Sequence, residues 1–296
     1  MPVMPNADVN GLSICYERSG PDDGPVLLLV GGMGQQLISW PPHLLRPLHE
    51  AGIGTVVFDN RDVGCSTWMD EAGPADIGGI IATLRAGGTP DWAYTIRDLA
   101  DDAVGLLDHL GLERVHVLGP SMGGMIVQRM AIEHPDRVAS LTSVMSTTGR
   151  RGLPGATKEA NAALLEVAAP GLEGYLAGRA HRRAAYGSTG FAFDEEWELE
   201  LAKGLIERGL NPDGGSRQYA ATIADGDRTE ALAELDLPAL VVHGDVDNLI
   251  PPAGGEATAA AIPGARLHIV EGMGHDLPPA VCRMLADDVI ALIGGS

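Results

Sequence analysis

Gly119-Pro120-Ser121-Met122-Gly123 sets a serine between glycines two residues before it and two residues after it. A serine hydroxyl is a poor nucleophile until a neighbouring base takes its proton. The G-x-S-x-G spacing meets a second need. It lets a strand turn sharply into a helix with the hydroxyl exposed at the top of the turn, a nucleophile elbow. The chain holds 40 glycines, so the string alone is a weak signal and its surroundings decide. Val115–Leu118 before it reads as a strand, and a helical pattern follows it as far as His134-Pro135, which is the setting an elbow requires. The plainer alternative is a serine that only caps the helix.

A nucleophilic serine needs a base, and the base needs an acid to orient it. Of the 9 histidines, His275 sits in Glu-Gly-Met-Gly-His-Asp-Leu-Pro, a glycine-flanked loop between an apolar strand and the last helical pattern. Loops at the carboxyl ends of parallel strands are where such a sheet binds its ligands. His243 is the other strand-end histidine, and beside Gly244 it reads as shaping its loop. The acid belongs to the same loop, His-Gly-Asp-Val-Asp-Asn-Leu-Ile-Pro, which offers Asp245 and Asp247. One would orient the histidine and the other would accept loop amides. A tetrahedral oxyanion needs two further donors. The Met122 amide, at the positive end of the helix, is one, and the loop Gly31-Gly32-Met33-Gly34 supplies the other.

The elements that must hold these groups alternate. Asn10-Gly11 marks a hairpin turn before a strand at Leu12–Glu17. Val26–Val30 is a continuous apolar run, as expected of a strand buried on both faces. Further strands are expected at Gly54–Phe58, Val138–Val144, Ala239–His243 and Leu267–Val270. Ile96, Leu99, Ala103, Leu106, Leu107 and Leu110 line one stripe of a helix, and another helix is expected at about Pro279–Leu292. Strands alternating with helices predict an α/β fold with a mostly parallel sheet. From Thr147 to Arg228 helical patterns run without a strand, broken at Gly149–Gly155, Gly187–Gly190 and Asn211–Gly215. The expected division is a core of residues 1–146 and 229–296 with a helical lid at 147–228. A second connection, Thr67 to Ala93, is rich in Gly and Pro.

Composition narrows the partners. The 296 residues carry a formal charge of −20, which repels nucleic acid and anionic lipid. Arg179, Arg182 and Arg183 are the densest basic cluster, read as solvated helix faces with an anion site as the alternative. Cys15, Cys65 and Cys282 match no disulfide, zinc or redox pattern. No signal peptide or membrane-length apolar run is visible, so a cytoplasmic protein is expected. Composition carries no signal for oligomeric state.

These residues resemble the α/β-hydrolase superfamily. The likeness rests on Val-Gly-Gly-Met-Gly, Phe-Asp-Asn-Arg-Asp-Val-Gly-Cys-Ser-Thr, Gly-Pro-Ser-Met-Gly-Gly, His-Gly-Asp-Val-Asp-Asn-Leu-Ile-Pro and Glu-Gly-Met-Gly-His, and it covers nearly the whole chain. Within the superfamily the sequence is similar to actinobacterial esterases of the aclacinomycin methylesterase kind. The resemblance implies Ser121 as nucleophile, His275 as base, Asp247 rather than Asp245 as acid, and Met33 with Met122 as oxyanion donors. It implies hydrolysis of small to medium, largely hydrophobic esters through an acyl-enzyme, with no cofactor and no metal. Serine at the elbow sets aside haloalkane dehalogenase and epoxide hydrolase chemistry, which use aspartate there. Carbon–carbon bond hydrolases, lactonases and perhydrolases share the triad, and a slow-turnover small-molecule receptor is the rival from another class. Two departures stand out: Gly31-Gly32 replaces the usual His-Gly, and Pro120 replaces the more common polar residue. Gly32, Trp40, Tyr186, Phe191 and Trp197 are the candidate substrate contacts, with Leu176 and Phe193 as further lid residues.

Overall fold

The computed structural model describes residues 4–295. Its sheet has eight strands: β1 (Asn6–Val9), β2 (Leu12–Ser19), β3 (Val26–Leu29), β4 (Gly54–Phe58), β5 (Val115–Pro120), β6 (Val138–Val144), β7 (Ala239–Gly244) and β8 (Arg266–Val270). They lie in the order β1-β2-β4-β3-β5-β6-β7-β8. β1 and β2 are antiparallel, as are β2 and β4, and every pairing from β4 to β8 is parallel. The β1–β2 hairpin turns on Asn10 and Gly11 at φ +52° and +79°. Two successive positive φ values define the turn that matches strand twist, and Asn-Gly is the pair that adopts it most readily.

The helices are α1 (Pro42–Glu50), α2 (Ile77–Arg85), α3 (Ile96–His109), α4 (Met122–Glu133), α5 (Lys158–Leu165), α6 (Gly171–Tyr186), α7 (Glu195–Arg208), α8 (Pro212–Asp225), α9 (Thr229–Leu232), α10 (Ala253–Ala261) and α11 (Pro279–Gly294). Of these, α1, α3, α4, α10 and α11 pack on the sheet and together cover both faces, which is why its strands read as apolar runs rather than as alternation. Leu28 of β3 faces the core shared with α3 and α4, as does Val30 just past the strand's end. Leu27 and Leu29 face the opposite core, built with α1 and α11. None of the described helices is long and apolar enough to cross a membrane.

Two expectations differ from the structure. The Thr67–Ala93 connection contains α2, whose start is capped by the Asp76 carboxylate accepting the Gly79 amide at 2.9 Å. Its Gly78-Gly79 pair masked a helix made by Ile77, Ile80, Ile81 and Leu84. The Asn211–Gly215 break is the beginning of α8. Asn211 Oδ1 accepts the Gly214 amide at 2.9 Å, and Pro212 occupies the first turn, where a missing N–H costs nothing. Between β6 and β7 the chain forms α5 to α9 and, among the described residues, no strand.

Candidate active site

β5 ends at Pro120 and α4 begins at Met122, leaving Ser121 at φ +55°, ψ −121°. A non-glycine residue there is strained by roughly 1–3 kcal/mol and persists only when its neighbours over-determine it. They do so here. The Ser121 amide donates to the Val144 carbonyl at 2.9 Å. Ser146 Oγ donates to the Ser121 carbonyl at 2.7 Å. The flanking glycines are required by contact: a Cβ on Gly119 would fall on the Gly123 backbone, and one on Gly123 would fall on the Val30 carbonyl oxygen. Strand, elbow helix and β3 therefore touch backbone to backbone beneath the serine.

His275 lies on the loop after β8. Its Nε2 is 2.9 Å from Ser121 Oγ, and its Nδ1 is 2.6 Å from Asp247 Oδ2. The structure thus brings together Ser121, His275 and, of the two aspartates left open by the sequence, Asp247, the one the resemblance implied. With the proton on Nδ1 facing the carboxylate, the Nε2 lone pair faces the serine hydroxyl. Asp247 Oδ1 accepts the Leu249 and Ile250 amides at 2.8 and 2.9 Å, which locks the carboxylate in its loop. Burial works to raise the Asp247 pKa, but the charge on His275 and hydrogen bonds from His243 and His275 outweigh it and hold the carboxyl at about 2. Asp245 takes the other role: its Oδ1 accepts the Gly272 amide at 2.7 Å and ties the two loops together. His243 is fully buried, with Nε2 2.7 Å from the Ile250 carbonyl oxygen and 3.5 Å from Asp247 Oδ2.

The glycine-rich loop after β3 lies against the elbow, since a Cβ on Gly32 would sit 3.3 Å from the Pro120 carbonyl oxygen and 3.6 Å from Ser121 Cβ. Its amides are unequal. Gly32 N–H donates to Gln35 Oε1 at 3.0 Å and Gly34 N–H donates to Gln218 Oε1 at 2.8 Å. Among the described residues, the Met33 N–H between them hydrogen-bonds to no protein group, and neither does the Met122 N–H that opens α4. Two free amides beside a serine hydroxyl suit a developing negative charge.

Tyr186, at the end of α6, meets the His275 ring edge-on at 6.0 Å between centroids. Trp40 is buried in the α1–α11 core, and Phe191 packs against that same core. Trp197 is half-buried, and its amide donates to Asp194 Oδ1 at 3.0 Å in the first turn of α7. Phe193 lies under the Arg183 guanidinium at 3.8 Å, while Leu176 is half-buried on α6. The arginine cluster is spent on packing the insertion. Arg179 and Arg183 pair with Glu198, and Arg182 donates to the Ala163 and Glu166 carbonyls. Cys15, Asp59 and Cys65 lie within 4.8 Å of one another, yet they surround a cation already. Arg208 pairs with Asp59 Oδ2 and reaches Cys15 Sγ at 3.8 Å, and burial pushes the Cys15 thiol up to about 11.

Sequence reasoning missed the residues of α7 and α8 that reach the glycine-rich loop. Gln36 Nε2 donates to the Leu205 and Gly209 carbonyls at 3.1 and 2.7 Å, and Arg208 Nε donates to Gln36 Oε1 at 2.9 Å. Nothing local marks these pairs, because more than 160 residues separate the partners.

Comparison with known proteins gives the same picture of the fold. The family described as alpha/beta hydrolase fold matches residues 25–278. A putative carbamate hydrolase of Variovorax paradoxus is 27% identical over 88% of this chain and 88% of its own length. A rhodomycin D methylesterase of a Streptomyces species (strain C5) is 28% identical over 92% of this chain and 91% of its own. Among solved structures, the enol-lactonase of Burkholderia xenovorans LB400 superposes with a TM-score of 0.72 at 22% identity, covering 98% of this chain and 100% of that one.

Proposed function

This chain belongs to the α/β hydrolase fold family, and on that footing we propose that it is a serine-dependent carboxylic ester hydrolase that works through an acyl-enzyme. The observation that carries the reading is the unbroken hydrogen-bonded line from Ser121 Oγ through His275 to the buried Asp247. The rhodomycin D methylesterase, alike over nearly its whole length, favours an ester as substrate.

In the first step Ser121 Oγ attacks the ester carbonyl carbon while its proton passes to His275 Nε2. Asp247 keeps the Nδ1–H tautomer and offsets the charge of the imidazolium. The oxyanion takes the Met33 and Met122 amides. Collapse breaks the carbonyl-carbon-to-alkoxy-oxygen bond, and His275 returns its proton to the departing alcohol. Water, activated by His275, then attacks the acyl carbon and releases the acid and free Ser121. No step calls on a metal or an organic cofactor.

Residues 147–228 form the helical cap in this reading, over a core of 1–146 and 229–296. Tyr186 of the cap places its ring edge-on against His275. Gly32 bounds the site from the core side, with Trp40, Phe191 and Trp197 as the further apolar candidates. Such walls suit a small to medium ester with a hydrophobic acyl or alcohol group.

The test is steady-state hydrolysis of p-nitrophenyl acetate, butyrate, octanoate and laurate, with Ser121→Ala in parallel. Turnover of several esters at about 1 s⁻¹ or faster by the wild type alone is the expected result. A single burst without turnover, or equal rates for the variant, would replace this reading with a binding protein or a different reaction.

A further inference from the structure

We propose that Gln218, a residue of the helical insertion, is the positioning residue that sets the oxyanion-binding amide of Met33. The inference rests on the ester-hydrolase reading and adds a part to its machinery.

Gln218 is fully buried on α8 and uses both ends of its amide. Its Nε2 donates to the Arg61 carbonyl at 3.0 Å, just beyond β4, and its Oε1 accepts the Gly34 N–H at 2.8 Å. One side chain therefore bridges the sheet and the glycine-rich loop. Peptide groups are planar, so holding one atom of a peptide fixes the whole plane. The plane carrying the Met33 N–H is held through its carbonyl, since Gly32 O accepts the Gln35 N–H at 3.1 Å. The next plane, Met33 C=O to Gly34 N–H, is held by Gln218. With both planes fixed, the Met33 N–H has one direction, and Gly32 fits the loop closely to Ser121. Gly34 is at φ +66°, a backbone state that its own side-chain-free geometry permits but does not select. An outside acceptor selects it.

Gln218 can do this because α8 cannot slide. Its neighbour Arg217 is buried and grips Asp62 with two bonds, Nε to Oδ2 at 2.8 Å and Nη2 to Oδ1 at 2.6 Å. Arg217 Nη1 also donates to the Gly73 carbonyl at 2.7 Å. Asp62 accepts the Tyr94 hydroxyl at 2.7 Å and the Met69 amide at 2.7 Å, so the anchor is itself fixed. α8 thus belongs to the catalytic unit. A cap motion that lifted α8 would undo the oxyanion site, and any opening for substrate falls to the remaining cap helices.

The test compares wild type with Gln218→Met, which keeps length and burial but removes both hydrogen bonds, and with Gln218→Glu, which keeps an oxygen for Gly34. Kinetics on p-nitrophenyl butyrate are paired with amide hydrogen exchange of the peptide spanning residues 30–37, a readout independent of turnover. The expected result is about tenfold lower kcat for Gln218→Met with KM within about twofold, since misplacing a group by an ångström can cost up to about 10²-fold. Faster exchange over 30–37 should accompany it, and Gln218→Glu should recover most of the rate. Wild-type kcat in folded Gln218→Met, or equal losses in the Met and Glu variants, would overturn the proposal. If the Met variant does not fold, Gln218→Asn, one methylene too short to reach Gly34, takes its place with the same expectation. Absence of Ser121-dependent turnover in the wild type would instead remove the ester-hydrolase reading, and this role with it.

Discussion

The backbone N–H of His275 donates to the carbonyl of Tyr186 at 2.7 Å, so the last residue of α6 holds the loop that carries the base. The junction is wider than that bond. Thr189 and Gly190 donate their amides to the Gly272 carbonyl at 2.9 and 3.0 Å. Ser188 Oγ donates to Asp276 Oδ1 at 2.5 Å and accepts the Gly274 amide at 2.9 Å. The insertion therefore touches the site here beside the base, as it does through α7 and α8 around the glycine-rich loop and through Thr157, whose amide donates to the Asn248 carbonyl at 3.0 Å, beside the acid.

Ser188→Ala should loosen the first of these junctions. It leaves the half-buried Asp276 carboxylate with fewer donors, an effect of about 1 kcal/mol, or a few degrees in Tm. kcat should fall more than KM rises, because the displaced group is His275. Differential scanning calorimetry and ester kinetics on the same sample check both.

Asp247 and Asp276 should give opposite acid responses. The Asp247 carboxyl is held at about 2, below the ordinary value of 3.8, so its stabilisation is present above pH 4 and is lost as pH falls toward 2. Burial raises the Asp276 carboxyl despite its Ser188 hydrogen bonds, so that group opposes folding at neutral pH and the fold gains as Asp276 takes up a proton on acidification. Asp247→Asn should flatten the acid limb of a Tm-against-pH curve, whereas Asp276→Asn should raise Tm at pH 7 relative to pH 4. In kinetics Asp247→Asn should lower kcat by about 10⁴, because an amide favours the wrong imidazole tautomer.

Strain at the elbow is measurable. Ser121→Gly removes the side chain that disfavours φ +55°, while Ser121→Ala keeps a Cβ. Both remove the hydroxyl and should be inactive. The glycine variant should be more stable than the alanine variant by about 1 kcal/mol, read as the difference between their denaturation midpoints.

The Arg217–Asp62 pair should not tolerate being cut on one side. Both side chains are at most 1% exposed, so removing either leaves the other charged and buried. Arg217→Met or Asp62→Ala alone should cost about 3–5 kcal/mol in urea unfolding.

Much of this was legible in the sequence, for reasons particular residues make plain. Val26–Val30 reads as a doubly covered strand because its consecutive residues feed two cores. Asn10-Gly11 reads as a hairpin because few other pairs tolerate two positive φ values. Ser121 and His275 stand out because each follows a strand on a loop with glycines close by, whereas Asp245 and Asp247 share one such loop and only the family resemblance favoured Asp247. The helices α2 and the start of α8 were hidden because Gly78-Gly79 and Gly214-Gly215 look like breaks, while Asp76 and Asn211 cap the helices that contain them. Gln218, Arg208 and Gln36 carried no local signal at all. Their partners are set by how the insertion folds back on the core, and no spacing along the chain encodes that.

The central claim is a covalent acyl intermediate on one serine. Mixing the protein with p-nitrophenyl butyrate, quenching in acid within the first turnover and mapping the peptides by mass spectrometry tests it most directly. The account predicts the mass of one butyryl group on the peptide containing Ser121, building up before steady turnover and absent in Ser121→Ala. Turnover with an unmodified Ser121 peptide, or butyryl found on another residue, would contradict it.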